Sequence, residues 1–187
     1  MENNVEEKKK KTKKELFKEI VPYIIILIIV LLVKTYLIAP IQVNGSSMMT
    51  TLHNNDIMIL NKIHYRFNDI KRFDIVVVKY NNKYIIKRVI GLPGESIEYK
   101  DNKLYINGKY YKEEFLDNNT KTKDFNLEEV IGKNEIPEGH YFVMGDNRED
   151  SLDSRIVGTF TKKQIKGKTK LTILPFNRIG NKKWIGQ

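Results

Sequence analysis

Four short segments carry residue types from which a reaction could be built. Val43-Asn44-Gly45-Ser46-Ser47-Met48-Met49-Thr50-Thr51-Leu52 contains a Gly-Ser-Ser turn at the end of an expected strand. Such a turn exposes a hydroxyl and frees backbone N–H groups to hold an oxyanion, although serine in a turn is commonly no more than a turn former. Tyr84-Ile85-Ile86-Lys87-Arg88-Val89-Ile90-Gly91-Leu92-Pro93-Gly94 sets two cations side by side. In a strand, Ile85, Lys87 and Val89 share one face and Ile86, Arg88 and Ile90 the other. Both faces are otherwise apolar, so either a cation meets a buried surface or both reach solvent at a strand edge. Only the lysine could then serve as a base, because arginine stays protonated. A free lysine of pKa ~10.4 keeps about one amine in a few thousand neutral at pH 7; lowering that pKa by ~2–3 units costs the charged form about 3–4 kcal/mol, which burial can supply.

The third segment is Met144-Gly145-Asp146-Asn147-Arg148-Glu149-Asp150-Ser151-Leu152-Asp153-Ser154-Arg155. It is not a calcium loop, since Arg148 stands where an oxygen ligand is required. It is either a surface loop laced with ion pairs or a rigid floor that positions a lysine through hydroxyl and carboxylate hydrogen bonds. The fourth, Phe73-Asp74-Ile75-Val76-Val77-Val78, reads as a core strand.

Strands must position these residues. Candidates are Ile41–Gly45, Asp56–Lys62, Phe73–Tyr80, Tyr84–Ile90, Ser96–Lys100, Lys103–Ile106, Tyr141–Met144, Ile156–Phe160 and Thr169–Leu174. Asn81-Asn82, Asp101-Asn102 and Asn107-Gly108 suit hairpin tips because these residue types tolerate positive φ. Short strands at this spacing, without long amphipathic helices, predict a mainly β domain: a barrel-like or folded antiparallel sheet. Tyr111–Glu138 is polar and weakly periodic and is expected to form a small insert or a long excursion (111–138).

Ahead of the strands, residues 1–19 form a polar tail with lysines at 8, 9, 10, 11, 13 and 14. The run Ile20–Val33 is uncharged, and Ile20–Ala39 as a helix spans roughly 30 Å, one hydrocarbon core. Pro22 is expected in its first turn, where a missing N–H costs little, and Lys34 can snorkel to the interface. A cut after Ala39 would place bulky Leu37 three residues before the bond and Pro40 just after it, which favours a retained anchor over a cleaved leader. The lysine cluster places the tail in the cytoplasm and residues 40–187 outside.

Composition closes off other functions. The 187 residues contain no cysteine, which excludes disulfide scaffolds, thiol nucleophiles and Cys-type zinc sites. The three histidines are far apart and form no H-x-x-x-H pair, so no metal or other cofactor is expected. The net charge of +10 is dispersed beyond the tail. This suits a solvated surface or attraction to anionic membrane lipid, and no nucleic-acid-binding motif accompanies it.

Together the basic tail, the apolar run, the Ser-Met box, the Asp-Ile-Val-Val strand, Lys87-Arg88-Val89-Ile90-Gly91-Leu92-Pro93-Gly94, Gly145-Asp146-Asn147-Arg148 and Pro175-Phe176-Asn177-Arg178-Ile179-Gly180 resemble the bacterial type I (leader) signal peptidases. These are membrane-anchored Ser–Lys serine proteases, and the short exported part is similar to Gram-positive members. The resemblance implies Ser47 as nucleophile, Lys87 as general base and Ser151 as the hydroxyl that orients the lysine. It implies the Ser47 backbone N–H as oxyanion donor, and Arg88, Asp146, Arg148, Asp153, Ser154 and Arg155 as structural supports. The substrates implied are translocated, signal-peptide-bearing precursors with small residues at the first and third positions before the cut, met near the secretion translocon. Two positions depart from the family pattern. Gly45 stands where some members place a second oxyanion hydroxyl, and Thr50 where the pattern has proline. The alternatives are an inactive membrane-tethered relative that binds secreted or pilus-like proteins, a self-cleaving repressor, for which a DNA-binding region is missing, and a plain β-rich surface domain.

Overall fold

The computed structural model describes residues 13–49 and 51–180 of the chain. Thr50 and the first twelve residues of the basic tail lie outside the described residues. Two units make up the chain, 1–37 and 38–187.

In the first unit, helix α1 (Lys13–Leu32) continues as a wider π-helical turn at Val33–Leu37. None of its residues is buried against protein. Lys13–Leu37 is long and apolar enough to cross a membrane. The helix begins seven residues before the expected Ile20, because Lys, Glu and Leu between Lys13 and Glu19 are good helix formers. Pro22 therefore sits inside the helix rather than in its first turn. Ile38 and Ala39, expected in the apolar span, belong to a strand.

The second unit is built on strands β1 (Ile38–Gln42), β2 (Ile57–Asn61), β3 (Ile75–Tyr80), β4 (Lys83–Gly91), β5 (Ile97–Lys100), β6 (Lys103–Ile106), β7 (Lys109–Tyr111), β8 (Phe125–Asn126), β9 (His140–Met144), β10 (Phe160–Thr161) and β11 (Ile165–Leu174). Short helical turns α2 (His64–Phe67), α3 (Leu127–Ile131) and α4 (Ser154–Val157) punctuate them. One sheet has the order β1-β2-β11-β3-β4-β9-β10 and the other β7-β6-β5-β8. Every pairing is antiparallel, as the hairpin chemistry predicted. The tips at Asn81-Asn82, Asp101-Asn102 and Asn107-Gly108 all hold positive φ, between 44° and 74°.

β4 is the spine of the larger sheet. Ile86 packs with Met48, Met58 and Val77, Val89 with Val76 and Val143, and Ile90 with Ile97 and Phe142, in three separate apolar clusters. Both faces of β4 are thus covered, and Lys87 and Arg88 are buried with it.

Two expectations need correction. The expected strand Ile156–Phe160 is split between α4 and β10, because Asp153 caps the chain into a helical turn by accepting from the Arg155 N–H. The polar stretch 111–138 is no detached insert: Phe115, Leu127 and Ile136 are buried in the cluster around Tyr99 and Phe142. Three apolar anchors so widely spaced leave no periodic signal.

Candidate active site

β3 and β9 flank β4 in a register that sets Val76 beside Lys87, Ile75 beside Arg88, and Arg88 beside Met144. The last pairing delivers the segment Gly145–Arg155 directly to the two cations. Lys87 is 2% exposed. Its Nζ donates to Ser47 Oγ at 2.5 Å, across 40 residues of sequence. Burial drives the Lys87 pKa down to about 8; the charges of Asp153 and Asp146 pull it back up, Arg155 presses it down, and Asp150 raises it. About one amine in ten is consequently neutral at pH 7, against about one in a few thousand for a free lysine.

Ser47 sits in a turn pinned from below by Met48 and Leu52, both essentially without exposure. The Leu52 amide donates to Met48 O at 2.8 Å, the Met49 amide to Ser46 O at 2.9 Å, and Asn54 Oδ1 accepts from the Gly45 amide at 2.8 Å. Gly45 takes φ +97°, a conformation that disfavours any residue with a Cβ. Among the described residues the Ser47 N–H has no intramolecular acceptor.

The segment after Met144 backs this turn. The Asn147 amide donates to Ser47 O at 3.1 Å and its Nδ2 to Ser46 O at 3.3 Å. Ser46 Oγ donates to Asp150 Oδ2 at 2.6 Å. A Cβ on Gly145 would stand 2.3 Å from Ser47 O and 2.2 Å from Ser151 Oγ, so only glycine allows the loop to approach this closely.

The expected supporting residues are distributed around the dyad. Arg88 and Asp146, each about 1% exposed, form a two-pronged ion pair, Nε to Oδ1 at 2.9 Å and Nη2 to Oδ2 at 2.6 Å. Thr51 Oγ1 donates to the same Asp146 Oδ2 at 2.6 Å, tying the nucleophile turn to the pair. Arg88 also donates to Phe73 O at 3.0 Å and lies over the Phe115 ring at 3.9 Å. Arg148 fastens the loop to the smaller sheet through Glu113, Tyr99 and Thr122, and donates back to Gly145 O. Asp153 accepts from the Gly145 amide at 3.0 Å and from the Arg155 guanidinium at 2.9 and 2.7 Å. Burial pushes its carboxyl upward, but the Arg155 hydrogen bonds and charge and the Gly145 amide outweigh that and hold it below the ordinary value. Ser154 Oγ accepts from the Val143 amide at 2.9 Å.

Ser151 is placed differently from the lysine-orienting contact that resemblance implies. Its Oγ is buried beside Gly145, close enough to Asp153 to favour that carboxylate but without a hydrogen-bond partner in ordinary geometry. Asn147, Asp150, Thr51 and Ser46 hold the nucleophile turn and were not singled out from sequence. Their types are common in loops, and nothing local indicates partners some 100 residues away.

The profile of the signal peptidase, peptidase S26, family matches residues 14–174. The chain belongs to that family. It is 43% identical over 152 residues to a Signal peptidase I of Bacillus amyloliquefaciens, covering 79% of this chain and 82% of that one. To Signal peptidase I V of Bacillus subtilis it is 45% identical over 143 residues, 72% and 85% of the two chains. A crystal structure of a signal peptidase I from Enterococcus faecalis superposes with TM-score 0.50 at 40% identity, over 54% of this chain and 97% of the other. The likeness to Gram-positive members expected from the sequence is therefore found, and the mainly antiparallel β fold agrees with this structural neighbour.

Within this signal peptidase, a serine hydroxyl and a desolvated lysine share a hydrogen bond on a floor of buried ion pairs. That arrangement can abstract a proton and form an ester.

Proposed function

We propose that this protein is a membrane-anchored serine endopeptidase that removes signal peptides from translocated precursors, with Ser47 as nucleophile and Lys87 as general base. The observation that carries the assignment is the 2.5 Å contact between Ser47 Oγ and a Lys87 amine buried to 2% exposure.

Neutral Lys87 accepts the Ser47 proton as Oγ attacks the carbonyl that precedes the cut. The resulting oxyanion is met by the backbone N–H of Ser47, a donor without an internal acceptor among the described residues. Lys87 then passes its proton to the leaving amine, and later activates the water that hydrolyses the ester. Once Oγ is acylated, Lys87 loses its hydrogen-bond acceptor. Ser151 Oγ, buried and unpaired beside the same Gly145, is the hydroxyl assigned to hold it in that phase. Arg88, Asp146, Arg148, Asp153, Ser154 and Arg155 act as supports that fix the floor.

Helix Lys13–Leu37 would serve as the anchor, with the basic tail in the cytoplasm and the β unit on the outer face, where precursors leave the translocon and membrane lipid is at hand. Thr50, the departure from the family's proline, lies outside the described residues. An inactive, merely binding relative is disfavoured by a site that keeps both nucleophile and base in contact.

The test is incubation of the protein in detergent with a precursor bearing an Ala-x-Ala site. Cleavage by the wild type and none by Ser47→Ala or Lys87→Ala is the expected result; intact precursor in all three would overturn the assignment.

A further inference from the structure

The two ends of the loop that carries Ser47 are stitched together. The Val43 amide donates to Asp56 O and the Asn55 amide to Val43 O, each at 2.8 Å. Asp56 closes the far end with its side chain as well. Its Oδ2 accepts from the His53 amide at 3.0 Å, while its own amide donates to His53 O at 3.1 Å. The turn held in this way sets Asn54 where its Oδ1 accepts from the Gly45 amide, two residues before the nucleophile.

This closing carboxylate is 2% exposed, so its charge needs a partner. The partner comes from 122 residues away: Arg178 Nη2 donates to Asp56 Oδ1 at 2.5 Å. Strand register explains the reach. β11 pairs with β2 so that Leu174 lies beside Ile57, the neighbour of Asp56, and the 3₁₀ turn Phe176–Arg178 after β11 is delivered to the base of the loop. Arg178 Nε is buried without a hydrogen-bond partner among the described residues, so the contact depends on a charge rather than on a guanidinium fork.

We infer that Asp56 is a positioning residue for Ser47, and that Arg178 keeps it in place by neutralising its charge. The inference rests on the assignment of Ser47 as the nucleophile that cleaves precursors, and it gives the closing segment 175–180 a task in that reaction. Asp56 and Arg178 are not among the charges that act on Lys87, so the pair works through the geometry of the nucleophile and not through the base. Without the guanidinium, the buried carboxylate regains water only by leaving its place. The His53 amide, the tie from Asn54 to Gly45 and the Ser47 turn then follow it. Asn147 and Asp150 still hold the other side of the turn, so the displacement is partial.

The experiment uses the full chain in detergent and a precursor with an Ala-x-Ala site. Enzyme is in saturating excess, so the single-turnover rate constant does not depend on the fraction of enzyme that is folded. Arg178→Met is expected to lower that constant about tenfold, with the half-saturating enzyme concentration unchanged. Arg178→Lys, which restores a single charge contact, should return it to within about two- to threefold of the wild type. The double variant Asp56→Asn/Arg178→Met buries no charge, keeps an acceptor for the His53 amide and should regain most of the rate. Wild-type cleavage with Arg178→Met unslowed overturns the role of the pair and leaves the dyad standing. Should Arg178→Met alone not fold, the double variant carries the test: folded but slowed tenfold or more, it has no stranded charge to account for the loss and overturns the inference. No cleavage by the wild type overturns the dyad assignment and this inference with it.

Discussion

The hydroxyl of Ser46 donates to the carboxylate of Asp150 at 2.6 Å, so the residue just before the nucleophile is tied to the loop that backs it. Asp150 also acts at a distance, since its charge raises the pKa of Lys87. These two influences separate by mutation. Asp150→Asn removes the charge and is expected to move the acid limb of the kcat/KM profile to lower pH, because the ammonium form of Lys87 loses a favourable neighbour. Ser46→Ala removes the tie but not the charge. It should lower kcat about two- to tenfold through a looser nucleophile, with the limb unmoved. The pH profiles of the two variants, measured side by side, decide it; a limb shifted equally in both would refute the separation.

The wild-type profile itself is set by Lys87. The reaction needs the neutral amine, and burial brings its pKa to about 8, so kcat/KM should climb tenfold per pH unit below that value and level off above it. Lys87→Arg cannot supply a neutral base and should fall about 10²–10⁴-fold with no such climb. A rate profile flat from pH 6 to 9 in the wild type would contradict a titrating lysine base.

Much of this site could be read from the chain because the strongest local signals surround its reacting groups. A Gly-Ser-Ser turn advertises an exposed hydroxyl. A lysine and an arginine on a strand apolar on both faces meet a buried surface unless both reach solvent at a strand edge, and here both Lys87 and Arg88 are buried. The sheet was equally legible, since Asn81-Asn82 and Asp101-Asn102 mark hairpins by their tolerance of positive φ. What stayed hidden depends on partners remote in sequence. Asn147 and Asp150 are ordinary loop residues until the fold sets them against Ser46, 101 and 104 positions away. Phe115, Leu127 and Ile136 are isolated in a polar stretch, and only the shared cluster reveals them as core. The helical turn at Ser154–Val157 was missed because one side chain, Asp153, decides it against the apolar pattern of Ile156-Val157.

Gly145 is the tightest point of the site. A methyl group there would meet the Ser47 carbonyl oxygen at 2.3 Å and Ser151 Oγ at 2.2 Å. The Ser151 hydroxyl can rotate away, but its Cβ at 2.7 Å cannot, and the carbonyl belongs to the nucleophile's own backbone. Gly145→Ala is therefore expected to cost about 1–3 kcal/mol of stability through overpacking and on the order of 10²-fold in kcat through displacement of Ser47. Urea unfolding and precursor cleavage measure the two effects. Unchanged kcat in a folded variant would show that the turn can move without consequence.

Arg88 and Asp146 test the floor rather than the chemistry. Either Arg88→Met or Asp146→Leu alone strands a buried charge and is expected to destabilise by about 3–5 kcal/mol. The double variant should recover most of that loss, because apolar groups of similar volume need no counter-ion. Denaturant midpoints for the four members of the cycle give the answer, and additive losses would mean that the two side chains do not act as a pair.

Lys87 also exacts a stability penalty whose pH dependence has a definite sign. Its folded pKa of about 8 lies below the ordinary lysine value of 10.5, so the native state binds fewer protons than the unfolded chain between those limits. Stability must then rise with pH across this window and be lowest, on this account, below pH 8, where the deficit is about 3 kcal/mol. Lys87→Met, similar in shape and never charged, is expected to be more stable than the wild type at pH 7 by an amount of that order, less the lost bond to Ser47. The advantage should shrink from pH 8 upward and vanish above pH 10.5, where the wild-type amine is neutral in both states. Urea midpoints for the two proteins at pH 7, 9 and 11 trace that convergence. A gap of constant size would mean that packing, rather than the buried charge, separates them.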